Sequence, residues 1–284
     1  MLKVAVLGAA GRMGRATLSC ILEADDLTLV GAVIETGDAQ LGRDAGELAG
    51  APSAGVPLTD ERSQGLHAAQ VAIDFTLPTV TEANLRACIE HGAAIVIGTT
   101  GLEQRQQKAM EKAAHEIPVV YARNMSVGVN VFMELVARAA TALGDGYDVE
   151  IAETHHRQKV DAPSGTALAL GERIAGARGR KLDELAVYAR HGQTGPRVPG
   201  TIGFSVARGG NVVGEHAVRF IGTEEEVEFS HRAVDRKTFA RGALRAARWA
   251  AGQAPGLYSM ADVLGLSRAS AALAPLARKP VDRS

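Results

Sequence analysis

The sequence predicts an α/β protein in which a doubly wound parallel sheet is joined to a second, α+β domain with a mainly antiparallel sheet. Three observations carry this. Up to residue 122, short β-branched apolar runs alternate with helical stripes, the pattern of βαβ units. Toward the C-terminal half, three strand-like segments follow one another without intervening helices. The 284 residues are enough for two cores at about 150 residues per domain.

Residues 4–7 form a continuous apolar run ending at Gly8, as in a strand buried on both faces. Met13, Ala16, Thr17, Cys20, Ile21 and Ala24 then recur at helical spacing as one stripe. Residues 27–34 form a second buried strand, and the Gly- and Pro-bearing stretch 37–59 predicts a loop with one short helix. Strands follow at 71–76 and 95–98, separated by a helix over 81–91; a polar-faced helix over 103–115 leads to a strand at 119–122. Phe132, Leu135, Val136, Ala139, Ala140 and Leu143 stripe a helix closed by Gly144. Residues 148–154 alternate as a strand does, and a helix begins near Ser164. Residues 201–207, 211–221 and 224–234 form three strands, with Arg208-Gly209-Gly210 joining the first two as a hairpin. A last helix over 237–251 is expected to return to the first domain. That domain then comprises 1–126 and 237–284, and the second 127–236. The Ala-rich, basic tail after Ser267 is expected to be loosely held.

Composition narrows the function classes. Thirty-one Lys+Arg against 32 Asp+Glu leave a net charge of −1, with no basic excess for a nucleic-acid partner. No run of eighteen apolar residues is present, so no membrane span is expected. The apolar start, residues 4–7, is too short for a signal peptide, and Arg12 and Arg15 follow it. Cys20 and Cys88 lack metal-ligand spacing and are expected to be reduced core thiols of a cytoplasmic protein. The 32 glycines point instead to tight turns and to bare backbone lying against a ligand.

The first strand runs straight into Gly8-Ala9-Ala10-Gly11-Arg12-Met13-Gly14, where the helix starts. Such a loop lets the backbone approach a pyrophosphate closely, and the helix N-terminus offers N–H groups and a positive dipole end. The spacing is GxxGxxG rather than GxGxxG, a weak signal alone, and a tight turn that binds nothing is the bland alternative. Context favours a Rossmann-type dinucleotide site. A strand precedes the loop, a helix follows it, and Glu35 stands 21 residues past Gly14, where a carboxylate would hold the adenosine ribose. Gly98-Thr99-Thr100-Gly101 and Ala122-Arg123-Asn124-Met125 also follow strands and would face the same crevice, although each could be a structural turn.

The densest chemistry lies in Glu153-Thr154-His155-His156-Arg157-Gln158-Lys159-Val160-Asp161-Ala162-Pro163-Ser164-Gly165-Thr166. A solvated basic loop is the alternative. Against it, the cluster follows a strand end, where active-site loops sit. Ser164 is suited to cap a helix whose N-terminus would bind an anion. A histidine near a lysine is also suited to acid catalysis on an anionic substrate. No metal is expected, because adjacent His155 and His156 point apart on an extended segment and no HExxH spacing occurs. His216 and His231 are expected to be structural, Asp74 to serve as a turn or cap or else to contact cofactor, and Glu224, Glu225 and Glu226 to form a solvated turn.

These segments resemble the dihydrodipicolinate reductase family over nearly the whole chain to about Leu266. The resemblance rests on the loop from Gly8 to Gly14, Ile73-Asp74-Phe75-Thr76, Val96-Ile97-Gly98-Thr99-Thr100-Gly101, Asn124-Met125-Ser126-Val127-Gly128-Val129-Asn130 and the string from His155 to Ala167. It implies a cytoplasmic homotetramer that reduces a small cyclic dicarboxylate with NADH or NADPH in lysine and diaminopimelate biosynthesis. It also implies that His155 is a proton donor or acceptor and Lys159 a proton donor. His156, Ser164, Gly165 and Thr166 would hold substrate. Gly8, Ala9, Ala10, Gly11, Arg12, Met13, Glu35, Gly98, Thr99, Thr100, Ala122, Arg123, Asn124 and Met125 would line the cofactor.

Two positions depart from the family's pattern. Thr36 stands where many members carry Arg, which can pair with the extra phosphate of NADPH. Losing that charge-assisted bond costs about 1.5–3 kcal/mol, so NADH is expected to be preferred unless Arg12 substitutes. Gln158 stands where His is common; Gln does not titrate, which leaves proton transfer to His155 and Lys159. Two other readings remain: a reductase of the same plan acting on another amino-acid-like acid, and a non-catalytic dinucleotide-binding redox sensor. A sensor has no need of both His155 and Lys159.

Overall fold

The computed structural model describes residues 1–267; the tail after Ser267, with the end of the first domain's expected span, lies outside them. The first half builds β1 (Leu2–Leu7), α1 (Arg12–Leu22), β2 (Leu27–Val33), α2 (Ala45–Leu48), β3 (Leu58–Thr59), α3 (Arg62–Leu66) and β4 (Val71–Asp74). Next come α4 (Thr81–Glu90), β5 (Ala94–Ile97), α5 (Gln104–Ala113) and β6 (Pro118–Tyr121). The chain then forms α6 (Val127–Leu143), β7 (Asp148–His155), α7 (Gly165–Ala177), α8 (Leu182–Leu185), β8 (Ala186–Val187), β9 (Ile202–Arg208), β10 (Gly214–Ile221) and β11 (Glu226–Ala233). It closes with α9 (Lys237–Ala250), β12 (Gly256–Ser259) and α10 (Met260–Val263).

The first sheet has seven strands, all parallel, in the order β12-β6-β5-β4-β1-β2-β3. Its strands are apolar throughout because helices cover both faces. Val4, Val6, Ile73 and Val96 pack with Leu18 and Ile21 of α1 and Ala243, Leu244 and Ala247 of α9. Ala5, Leu7, Ala72 and Ile95 pack on the other side with Leu85 and Cys88 of α4 and Met110 of α5. Both cysteines are buried and unpaired. The returning α9 brings β12 to the sheet edge beside β6, a four-residue strand that the sequence pattern does not announce.

The second sheet has the order β11-β10-β7-β9-β8. It is mixed rather than mainly antiparallel: β10 runs antiparallel to β7 and β11, whereas β7, β9 and β8 are parallel. The expected β9–β10 hairpin does not form. β7 lies between those strands, so Gly209 and Gly210 arch over its end. There Gly209 N–H donates to His155 O at 2.9 Å and Arg157 N–H to Gly210 O at 3.2 Å. The Gly-Gly pair therefore pins the end of β7 and the start of the segment that follows His155 instead of closing a two-strand ribbon. The glutamates at 224–226 are exposed, as expected of a solvated turn, and two of them take side-chain partners: Tyr147 Oη donates to Glu225 and Arg219 Nη2 to Glu226 at 2.7 Å. Among the described residues, Val127–Gly146 is the stretch long and apolar enough to cross a membrane; Phe132, Val136 and Ala140 of its helix pack into the second sheet's core.

Candidate active site

The carboxyl ends of β1, β2, β4, β5 and β6 open onto a trough made of three cavities. The first, about 600 Å³, is lined by Gly8, Ala10, Gly11, Glu35, Thr36 and Phe75 among others. The second, about 320 Å³, shares Phe75 and Thr76 with the first and adds Met13, Gly98, Thr99, Arg123, Asn124 and Met125. The third, about 750 Å³, shares Thr100, Arg123 and Asn124 with the second and continues to Ala122, His155, Lys159, Asp161, Ser164, Gly165 and Thr166. Shared walls make the three a continuous path from the glycine loop to His155 and the start of α7.

The path fits a dinucleotide. Gly8 has φ +81°, open to glycine without strain, and a Cβ on Gly14 would lie 2.1 Å from Gly8 O. No side chain caps α1, and no acidic residue stands in its first turn, so its positive end is open to an anion. The N–H groups of Gly8 and Ala9 instead donate to Val33 O, each at 2.9 Å, which ties the loop to β2. Ala9 is buried and Arg12 lines none of the three cavities. Beneath the turns, buried Asp74 accepts Thr76 N–H at 2.8 Å, Thr76 Oγ1 at 2.6 Å and Asn84 Nδ2 at 3.0 Å. Burial outweighs these bonds and raises its carboxyl above the ordinary value. Asp74 thus braces the turn that carries Thr76, acting from below the trough.

The segment from Glu153 to Thr166 is organised around Glu153, 3% exposed. Its carboxylate meets His155 Nδ1 at 2.5 Å, accepts Ser164 N–H at 2.9 Å and takes Arg208 bidentately at 2.7 and 2.9 Å. Burial raises the Glu153 carboxyl, but the bonds from Arg208, His155 and Ser164 outweigh it and hold it below the ordinary value. An ionised carboxylate only accepts, so His155 Nδ1–H donates to it and Nε2 takes no part in that bond. Arg208 also donates to Asp161 O at 2.7 Å, and Asp161 holds Lys159 Nζ at 2.8 and 2.9 Å. One buried carboxylate therefore sets the positions of His155, the start of α7 and the lysine-bearing loop.

Ser164 caps α7 as expected, its Oγ accepting Ala167 N–H at 3.1 Å. Asn124 Nδ2 donates across the domains to Thr166 Oγ1 at 3.2 Å. His156 lies outside the lining of the third cavity. Desolvation, and then the charges of Arg236, His155, Lys159 and Arg12, lower its imidazole below the ordinary value. Glu153, Arg208 and His216 have no role in the sequence-based assignment; the available signal for Glu153 is its place two residues before His155 on one face of a strand. Among the described residues, no group of three or more His, Cys, Asp or Glu is placed to hold a metal.

Known proteins resemble the chain over most of its length. The family description "Dihydrodipicolinate reductase, N-terminus" matches residues 2–125, and "Dihydrodipicolinate reductase, C-terminus" matches residues 128–264. The chain is 54% identical over 264 residues to a 4-hydroxy-tetrahydrodipicolinate reductase of Alkalilimnicola ehrlichii, covering 93% of this chain and 99% of that protein. It is 52% identical over 264 residues to a protein of the same name from Thiobacillus denitrificans, covering 93% and 98%. A solved structure described as dipicolinate-bound dihydrodipicolinate reductase from Paenisporosarcina sp. TG-14 shares the fold, with a TM-score of 0.72 at 23% identity over 91% of this chain and 97% of that one. With both halves matched and more than half the residues identical to such relatives, the chain belongs to the dihydrodipicolinate reductase family.

Proposed function

We propose that this chain reduces hydroxy-tetrahydrodipicolinate, once its hydroxyl has left as water to give the cyclic unsaturated imine dihydrodipicolinate, to tetrahydrodipicolinate with NADH as the preferred donor, in lysine and diaminopimelate biosynthesis. The observation that carries this is the meeting, in one cleft, of a dinucleotide trough, His155, Lys159 and the N-terminus of α7. When bound, the nicotinamide supplies the hydride. The open first turn of α1 holds the pyrophosphate, Glu35 the adenosine ribose, and the turns at Gly98–Thr100 and Ala122–Met125 flank the rest. The N–H groups of Gly165 and Thr166 receive a substrate carboxylate at the positive end of α7, with Ser164 holding that turn and His156 approaching from the rim. Lys159 delivers a proton to the ring carbon next to the one that takes the hydride. His155, its ring oriented by Glu153, gives or takes a proton through Nε2.

The preference for NADH rests on the ribose end. Glu35, Asp38 and Asp60 face that cavity, so a 2′-phosphate would meet three carboxylates. The cation there, Arg62, is engaged by Asn84 Oδ1 at 2.7 Å, and Arg12 is not in the lining. Following cofactor absorbance with enzymatically generated dihydrodipicolinate, kcat/KM for NADH is expected to exceed that for NADPH by about tenfold or more. A clear preference for NADPH contradicts the assignment.

Two unpaired buried thiols fit a reducing compartment, and we place the reaction in the cytoplasm. The open face of the second sheet carries a cross-strand row of small residues, Ser205, Ala152, Ala217 and Ser230. We take this face as the surface through which copies assemble into a homotetramer. Sedimentation is expected to give the mass of four chains, and a monomer contradicts it.

A further inference from the structure

Opposite residues on paired strands share a face. Glu153 of β7 stands in register with His216 of β10, and His216 with His231 of β11. The neighbouring rows on that face, Ile151–Val218–Phe229 and Val149–Phe220–Val227, are apolar. A polar row thus replaces core where the sheet passes beneath the start of α7.

His216 is 5% exposed. Its Nε2 lies 2.9 Å from Ser164 Oγ, the same oxygen that caps α7, and its ring meets His155 edge-on at 5.0 Å between centroids. Its Nδ1 is buried without a partner. A buried, unpaired ring nitrogen is unfavourable, so an apolar side chain of similar size would serve packing better. What histidine adds is the bond to Ser164. Burial first, then the neighbouring His155, pushes the imidazole down to about 3, which keeps it neutral beside the site.

We propose that His216 is a positioning residue for substrate binding: through Ser164 it fixes the first turn of α7 so that the Gly165 and Thr166 N–H groups point at a substrate carboxylate. This rests on the substrate reading above. The test is calorimetric titration of the full chain, with NAD⁺ present, by pyridine-2,6-dicarboxylate as an unreactive dicarboxylate probe. NADH affinity is measured in parallel. His216→Leu is expected to weaken the probe about five- to tenfold, the worth of one hydrogen bond, and to leave NADH affinity unchanged. His216→Gln, whose amide reaches the Nε2 position, is expected to restore probe binding, whereas His216→Asn, which reaches only the Nδ1 position, is not. Unchanged probe affinity in His216→Leu overturns the proposal, as does equal weakening of NADH or failure of Gln to rescue. Wild type that binds NADH but not the probe overturns the substrate reading itself.

Discussion

Lys159→Ala is expected to lower kcat by about 10²- to 10⁴-fold, the usual worth of a positioned proton-transfer group, while NADH affinity stays at the wild-type value. His155→Ala is expected to fall in the same range. Both side chains line the cavity proposed for the substrate and neither lines the cavities assigned to the cofactor's ribose and pyrophosphate, so the loss belongs in turnover. Because the two groups serve one proton-transfer step, the double variant is expected to lose much less than the product of the two single losses. Steady-state kinetics with fluorescence titration of NADH separates the effects. A variant that keeps wild-type kcat removes its residue from proton transfer, and one that loses NADH affinity equally assigns it to cofactor binding.

Glu153→Ala is expected to cost about 3–5 kcal/mol of stability, because it leaves the Arg208 guanidinium and the His155 and Ser164 N–H groups without the carboxylate that joins them. For a chain this size that corresponds to a fall in Tm of about 6–20 °C by calorimetry. Glu153→Gln keeps the shape and removes the charge. The Glu153 carboxyl is held below its ordinary 4.5 in the folded chain. Its contribution is therefore fully present above pH 4.5 and is lost as pH falls through the folded value. The gap in Tm between wild type and Glu153→Gln should close on acidification below 4.5. In the same variant the ¹⁵N shifts of His155 are expected to show a mixture of tautomers in place of Nδ1–H. A Tm gap that is independent of acid, with an unchanged tautomer, would show that the carboxylate does not orient the ring.

What was legible in the sequence is what local chemistry dictates. The strand–glycine loop–helix at Gly8–Gly14 and the cap at Ser164 depend on neighbours a few residues away, and both form as expected. The roles of Glu153 and Arg208 depend on a contact spanning 55 residues, which no periodicity encodes. The Gly209-Gly210 turn misled for a related reason: a glycine pair marks a chain reversal but cannot say that β7 lies between the two strands it joins. The edge strands β3 and β12, two and four residues long, carry too little pattern to stand out. His216 looked structural because a lone histidine on a strand carries no local sign of the cap it touches.

Hydride transfer within this trough is tested most directly by turnover with NADH deuterated at the transferring position of nicotinamide C4. The product is expected to carry one deuterium per molecule, with wild-type protein releasing labelled tetrahydrodipicolinate and Lys159→Ala releasing little of either isotopic form. Deuterium that stays on the cofactor while the chain still binds NADH and the dicarboxylate would contradict the assignment and leave a binding protein in its place.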